Sequence, residues 1–334
     1  MKTKVWAAAL SLLLALALSV PAHATTRSES GNRALRTVTL WLDWYPNSDH
    51  AGIYVALARG YYARAGLAVQ PRVPSGAADA LKLVARGSGD VAISYEPTLL
   101  LARLQGVPVV ATAAIVQHPL NCVMSLQSSG ITRPRQFMGK TVGVAGLESD
   151  YTDITAMVRH DGGDPGKVKT VNVGYGLLPQ LLARRIDAVE GVYWTWEALQ
   201  AQQQGYRVNV MRLDHYGVPT YDELIFATGT GQLAREPATL RLFQQATFEG
   251  YAYAAAHPAE AARILLKAPQ ALSRDARLLE QSIRLLAPEE RDARGRYGAM
   301  SATQWQGYAD WMLRTGLVKK HIDARPAVTG ALLP

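Results

Sequence analysis

Aromatic and carboxylate side chains cluster where the first strand pattern of the chain ends. Apolar side chains alternate with other types over residues 38–44, which is the period-2 pattern of a strand. Turn and helix-capping residues follow, and Gly60 ends the helix that they begin. The residues at this junction are Asp43, Trp44, Tyr45, Asn47 and His50. A strand end beside a positive helix terminus is where open α/β sheets hold small molecules, so we predict a ligand cleft here.

Three further strand ends carry similar side chains. They are Ser94, Tyr95 and Glu96; residues 146–150; and Tyr193, Trp194, Trp196 and Glu197. If these ends converge, they combine flat aromatic faces with carboxylate acceptors. That combination suits a planar heteroaromatic ring that carries amino groups, and it serves an anionic ligand less well.

Structural roles compete for several of these residues. Asp43 could equally cap its turn, and Glu96 could answer a helix dipole instead of binding a ligand. Ser149 and Asp150 are good N-cap residues in any case. At least one of Trp194 and Trp196 is expected to pack in the core, since alternate residues point different ways.

Strand and helix patterns alternate along the chain in two series. The first series has strands over residues 67–73, 91–95 and 107–116, with helices over 77–86 and 97–105. The second has strands near residues 141–144, 168–173, 188–192 and 208–211, with helices near 150–160, 177–183 and 194–204. A strand over 224–228 then precedes helices over 236–257, 259–267, 274–286 and 303–314. The alternation predicts an α/β fold with two mainly parallel sheets flanked by helices.

The amino terminus has the pattern of a secretory signal peptide. Two lysines precede an apolar run over residues 5–20, and a small-x-small site follows, so residues 1–24 are predicted to be cleaved before Thr25. The formal charge of +8 includes those two lysines, and the other basic residues form scattered pairs, which argues against nucleic-acid binding. Cys122 is the only cysteine, so no intramolecular disulfide can form.

Four segments in chain order resemble the periplasmic substrate-binding proteins related to thiamine-pyrimidine synthases. They read LDWYPNSDHAGIYVALARGYY, GSGDVAISYEP, GKTVGVAGLESD and DAVEGVYWTWE. The resemblance implies a two-lobed binding protein of the type II fold, with the ligand cleft between the lobes. We expect residues 36–118 and 221–334 to form one lobe and residues 119–220 to form the other, with crossings between the two near residues 118–123 and 213–221.

The same resemblance includes synthases, which use a lysine and a histidine with pyridoxal phosphate and a cysteine-rich iron motif. Here Glu96 and Leu100 stand at the lysine and histidine positions, and no cysteine stands near residues 221–228. A carboxylate cannot form a Schiff base. His50 lacks enough partners for a metal site and is interpreted as a hydrogen-bonding residue beside the cleft. We therefore predict no catalytic residue, no metal and no cofactor.

The sequence thus predicts a periplasmic solute receptor for an ABC importer whose permease and ATPase are separate chains. Its expected ligand is a small planar heterocycle like the thiamine pyrimidine precursor; riboflavin, an aliphatic sulfonate or a synthase-like activity remain as alternatives. The predicted ligand-binding residues are Asp43, Trp44, Tyr45, Asn47, His50, Tyr95, Glu96, Tyr193, Trp194 and Glu197.

Overall fold

The computed structural model describes residues 34–76 and 78–333. The predicted signal peptide lies outside the described residues. Ten strands form two five-stranded sheets, as expected for an α/β fold of two sheets flanked by helices. Among the described residues, no helix is long and apolar enough to cross a membrane.

The first sheet has the strand order β2-β1-β3-β10-β4. Its strands are β1 (Arg36–Trp41), β2 (Leu67–Arg72), β3 (Val91–Ser94), β4 (Val109–Val116) and β10 (Leu224–Gly229). Strand β10 runs antiparallel to β3 and β4, while β1 is parallel to β2 and β3. Pro71 lies on β2 at the sheet edge, where its missing N–H removes no ladder hydrogen bond.

The second sheet repeats this arrangement with the order β7-β6-β8-β5-β9. Its strands are β5 (Asn121–Leu126), β6 (Thr141–Val144), β7 (Lys169–Asn172), β8 (Ala188–Tyr193) and β9 (Val208–Arg212). Here β5 is the antiparallel strand, paired with β8 and β9. The chain passes from β4 of the first sheet to β5 of the second, and from β9 of the second sheet to β10 of the first, so each antiparallel strand directly follows a strand of the other sheet.

Helices cover both sheets. The first series is α1 (Ala51–Ala58), α2 (Tyr61–Arg64), α3 (Asp79–Ala85), α4 (Glu96–Leu104), α5 (Glu148–His160), α6 (Leu177–Leu182) and α7 (Glu197–Gln203). The second is α8 (Thr230–Arg235), α9 (Pro237–Ala256), α10 (Pro258–Leu265), α11 (Ala276–Leu286) and α12 (Ala302–Arg314). Strands β3, β4, β5 and β10 are buried along their whole length, as strands covered on both faces must be.

Strand β5 is the element that the sequence analysis missed. Residues 118–123 were expected to be only a crossing between sheets, but β5 begins at Asn121. Its six residues are all buried and lack the alternation that identifies a half-exposed strand. The first crossing, between β4 and β5, is therefore confined to residues 117–120, and the second, between β9 and β10, spans residues 213–223. Both crossings lie next to the site described below.

Candidate functional site

A central cavity lies where the strand ends of the two sheets meet, and it contains about 570 Å³ of space unfilled by protein atoms, part of it open to solvent. Both sheets contribute to its wall. The lining residues are Asp43, Trp44, Asn47, Asp49, Tyr95, Pro97, Asn121, Ala145, Leu147, Ser149, Asp150, Asp153, Gly191, Tyr193, Glu197, Tyr221 and Glu223. Six of them are carboxylic acids, and none is lysine, arginine or histidine.

Asp43 follows β1 and is held by two side chains. The Tyr95 hydroxyl donates to its Oδ2 at 2.9 Å, and His50 Nε2 lies 3.0 Å from its Oδ1. His50 Nδ1 accepts from the Asn47 backbone N–H at 3.3 Å, so Nε2 carries the ring proton and donates to Asp43. His50 is fully buried and does not line the cavity. The hydrogen bond from His50 therefore orients the Asp43 carboxylate, although His50 itself is outside the cavity lining.

The second-sheet wall is built on the amino terminus of α5. Asp150 Oδ2 accepts from the backbone N–H groups of Gly146 and Leu147, each at 2.9 Å. Gly146 has φ +95°, and a Cβ there would meet the Asn172 side chain at 2.3 Å, so only glycine fits this turn. The neighbouring residue Ser149 also lines the cavity. Its hydroxyl oxygen lies 3.0 Å from the hydroxyl oxygen of Thr98.

Glu223 joins the two crossings between the sheets. Its Oε2 accepts from the backbone N–H groups of Leu120 and Asn121, at 2.8 and 2.9 Å, and from the Tyr221 hydroxyl at 3.0 Å. Its Oε1 accepts from the hydroxyl of Tyr193, on β8, at 3.3 Å. One cavity carboxylate therefore holds residues of both crossings and the end of a second-sheet strand.

Asn121, the first residue of β5, is hydrogen-bonded through its side chain to the neighbouring strand β8. Its Nδ2 donates to Glu190 Oε1 at 2.7 Å, and its Oδ1 accepts from the Gly191 backbone N–H at 3.1 Å. Because Asn121 and Glu223 both line the cavity, groups that hold the crossings are also positioned to face a ligand.

Aromatic rings pack around Trp44 beside the cavity. The ring of Tyr175, from the segment after β7, lies edge-to-face with Trp44 at a centroid distance of 4.5 Å and with Tyr45 at 5.0 Å. The Tyr175 hydroxyl donates to the Pro74 carbonyl at 3.3 Å. These contacts connect the first-sheet loop that carries Trp44 to the second-sheet side.

Burial raises the pKa of the cavity carboxyls. Desolvation is the largest cause in each case, and it raises the pKa of Asp150, Glu197 and Glu223 to about 7 despite hydrogen bonds that favour their charged forms. Burial and neighbouring carboxyls also raise the pKa values of Asp49 and Asp153 well above their usual range. The cavity thus gathers six carboxyls without a cationic lining side chain, and burial resists the ionisation of these five.

Six of the ten predicted ligand-binding residues line the cavity. They are Asp43, Trp44, Asn47, Tyr95, Tyr193 and Glu197. The structure places the other four, Tyr45, His50, Glu96 and Trp194, outside its lining. Tyr45 contacts Tyr175, and His50 supports Asp43.

Glu96 and Trp194 point to other partners. Glu96 is fully buried, and its Oε2 accepts from the Asp222 backbone N–H at 2.8 Å and from Gln304 Nε2 at 3.1 Å. The Trp194 indole N–H donates to the Pro119 carbonyl at 3.3 Å, and the Arg212 guanidinium lies 4.9 Å from its ring. Trp196 is buried in the core. Of the predicted carboxylate and stacking contacts, Asp43 and Trp44 line the cavity, whereas Glu96 and Trp194 do not.

Several lining residues escaped the sequence analysis, chiefly Asp49, Asn121, Asp153, Tyr221 and Glu223. Asp49 was interpreted only as a turn residue. Asp153 lies one helical turn beyond Asp150, and that i, i+3 spacing was an available signal. Asn121, Tyr221 and Glu223 lie at the crossings, where local pattern gives no indication of facing a cavity. The described residues contain no group of three or more histidine, cysteine or acidic side chains that could hold a metal ion.

Comparisons with known proteins agree with this architecture. The family model described as NMT1/THI5 like matches residues 47–261. The formylaminopyrimidine-binding protein of Halalkalibacterium halodurans is 33% identical over 307 residues, covering 91% of this chain and 92% of that protein. A 4-amino-5-hydroxymethyl-2-methylpyrimidine phosphate synthase of Legionella pneumophila is 24% identical. The alignment covers 89% of this chain and 92% of that protein.

Among solved structures, the alkanesulfonate-binding protein of Xanthomonas axonopodis pv. citri, bound to MOPS, matches with a TM-score of 0.70. The alignment covers 88% of this chain and 98% of that chain, at 12% sequence identity. At that identity the likeness concerns the fold, and it confirms the predicted binding-protein architecture.

Proposed function

The chain belongs to the NMT1/THI5-like family, and from this premise we propose that it is an extracytoplasmic solute-binding protein of an ABC importer. Its ligand is a small planar heterocycle that carries amino groups, like the thiamine pyrimidine precursor. The observation that carries this proposal is the central cavity, which combines aromatic side chains with six carboxylic acids and has no basic side chain in its lining. Such a lining favours N–H donors and disfavours anions.

Two lining residues are proposed as the main ligand contacts. Trp44 is partly exposed and lines the cavity, so its ring can stack on a flat ligand. Asp43 is held in place by Tyr95 and His50, so its carboxylate is pre-organised to accept from an amino group. The relative from Halalkalibacterium halodurans, named as a formylaminopyrimidine-binding protein, supports this ligand class.

We propose that residues 36–118 with 221–334 and residues 119–220 move as two lobes about the crossings. Glu223 and Asn121 support this hinge assignment, because they hold the crossings and also line the cavity. A ligand that contacts both lobes stabilises the closed form, which a membrane permease then recognises. The permease and the ATPase are separate chains.

The protein is proposed to bind its ligand without transforming it. The synthase-like arrangement needs a lysine for pyridoxal phosphate, but Glu96 occupies that position and the cavity lining contains no lysine. The residues present therefore do not fit that cofactor. Incubation with pyridoxal phosphate should give no Schiff-base absorbance, and a borohydride-trapped adduct on a cavity residue would overturn this part of the proposal.

The proposed location is the periplasm, reached by cleavage after residue 24. Amino-terminal sequencing of the protein from a periplasmic fraction should begin at Thr25. An intact Met1 terminus on a membrane-bound product would contradict it.

The ligand assignment is tested by isothermal titration of the purified mature protein. We expect binding of 4-amino-5-hydroxymethyl-2-methylpyrimidine, with no signal for an alkanesulfonate. Binding of riboflavin alone would keep the stacking role of Trp44 and overturn the pyrimidine assignment, and tight sulfonate binding without pyrimidine binding would overturn the ligand class. Mass spectrometry of small molecules released from protein of native periplasm identifies the natural ligand.

A further inference from the structure

Among the described residues, two of the six cavity carboxyls have no hydrogen-bond donor. Asp49, in the loop between β1 and α1, is 2% exposed, and Asp153, on α5, is 1% exposed. Each has a buried Oδ1 for which no partner exists among the described residues. Both line the central cavity, one from the first-sheet side and one from the second.

The other four cavity carboxyls differ in this respect. Asp43 and Glu223 accept from the donors already described, and Asp150 accepts from backbone N–H groups. Glu197 Oε2 accepts from the Tyr193 backbone N–H at 2.8 Å. A buried carboxylate without a donor is costly, so burial favours the protonated forms of Asp49 and Asp153 in the ligand-free protein, and N–H donors from a ligand would stabilise their ionised forms.

Charge at these two positions is also unbalanced. The charged groups that act on Asp49 are the carboxyls of Asp43, Glu197, Glu290 and Glu223, and those that act on Asp153 are Asp150 and Glu223. A neutral N–H donor would satisfy the hydrogen bonds but would not offset the repulsion that opposes ionisation of Asp49 and Asp153. A positive charge on the ligand would satisfy both requirements.

We propose that Asp49 and Asp153 determine specificity for a cationic ligand, namely a planar heterocycle bearing an ammonium group. This inference rests on the proposed function and narrows its ligand class. The protein should therefore bind a protonated aminoalkyl heterocycle in preference to the neutral hydroxyl or acylated analogues and to the phosphate ester.

A charge series on one ring tests the wild-type protein. The probes are 4-amino-2-methylpyrimidines whose 5-substituent is aminomethyl, hydroxymethyl, formylaminomethyl or phosphooxymethyl, titrated at pH 7.5. Hydrogen bonds to charged groups contribute more binding free energy than neutral ones. We therefore expect the aminomethyl compound to bind about 10- to 100-fold more tightly than the hydroxymethyl compound. The phosphate ester should bind most weakly.

The outcomes separate the two proposals. If no pyrimidine binds, the proposed function fails. If the hydroxymethyl or formylaminomethyl compound binds as tightly as the aminomethyl compound, the proposed function stands and this inference is overturned.

Isosteric variants locate the effect. Asp49→Asn and Asp153→Asn should each weaken aminomethylpyrimidine binding by about 10-fold and change hydroxymethylpyrimidine binding by less than about 3-fold. The matched control is Asp222→Asn, a buried carboxyl outside the cavity lining that is not among the groups acting on Asp49 or Asp153, which should leave both affinities within about 2-fold. An equal loss for both ligands in the Asp variants would show a structural role and contradict the inference.

Discussion

At the scale of single residues, the buried cavity carboxyls should make stability fall as pH rises. Burial raises the folded-state pKa of Glu197 and Glu223 to about 7, above the unfolded value, so the folded state retains protons that the unfolded state has released. This stabilisation is complete below the unfolded pKa and is lost as pH rises through about 7. We expect the thermal midpoint of the ligand-free protein to fall by on the order of 5 °C between pH 5.5 and 8.

Differential scanning calorimetry across that range checks this prediction. Glu197→Gln removes one titrating group and keeps an acceptor for the Tyr193 N–H, so it should flatten the pH dependence. The surface variant Glu249→Gln should keep the wild-type slope, since that side chain is half exposed. A midpoint that is constant or that rises with pH would contradict the prediction.

Two tryptophans of similar sequence context should behave differently. Trp44 lines the cavity, so Trp44→Ala should cost about 1–3 kcal/mol of ligand binding, by analogy with aromatic stacking on bases. Trp194 packs against the core clusters outside the cavity, so Trp194→Ala should lower the free energy of unfolding by about 2–3 kcal/mol with little change in affinity for ligand. Titration calorimetry and urea unfolding measure the two effects, and a reversed pattern would restore Trp194 as the stacking ring.

At the scale of elements, α1 and α9 pack unusually closely through two glycines. A Cβ on Gly250 would lie 2.0 Å from the Gly52 carbonyl oxygen, and a Cβ on Gly52 would meet the Tyr251 ring at 2.2 Å. Because backbone cannot move aside as a flexible side chain can, Gly250→Ala should destabilise the protein by about 1–3 kcal/mol. The Tyr251 hydroxyl also donates to the Asp49 carbonyl at 2.6 Å, so this contact supports the loop beneath the cavity.

Gly307→Ala is the matched control for this helix contact. Gly307 lies on the exposed face of α12, with no atom near its Cβ position, so the substitution should be neutral or stabilising by about 0.5–1 kcal/mol. Equal unfolding free energies for Gly250→Ala and wild type would refute the close packing.

At the scale of the whole molecule, Tyr175 is expected to hold the closed form. Its ring contacts Trp44 and Tyr45, and its hydroxyl reaches Pro74. Under the proposed lobe division, Tyr175→Ala removes contacts between the lobes, so ligand should dissociate about 10-fold faster and the protein should have a larger radius of gyration at equal ligand saturation. Stopped-flow dissociation and small-angle scattering measure these changes.

The comparison variant for lobe closure is Tyr206→Ala. Tyr206 is 38% exposed and has no aromatic partner among the described residues. Tyr206→Ala should leave the ligand dissociation rate and the radius of gyration unchanged. A wild-type scattering profile that does not change on saturation with ligand would refute closure itself and leave the fold unaffected.

Local patterns in the sequence were sufficient for much of the fold and part of the site. Alternation and capping residues identified nine of the ten strands, and the ends of parallel strands meet at one sheet edge. Asp43, Trp44, Tyr95, Tyr193 and Glu197 were found for that reason, since each lies at the end of a strand. The composition of these strand ends also predicted an amino-bearing ligand.

Tertiary structure decided what depends on contacts between distant segments. Strand β5 lies between β8 and β9 inside its sheet and is buried along its whole length, so no alternation marks it. Glu96 turns to Asp222 because β10 lies beside β3, and Glu223 reaches the cavity because both crossings meet there. Which of Trp44 and Trp194 faces the cavity likewise depends on how the strand ends pack. Side-chain direction at a strand end follows from its non-local neighbours, and these neighbours are absent from any local pattern.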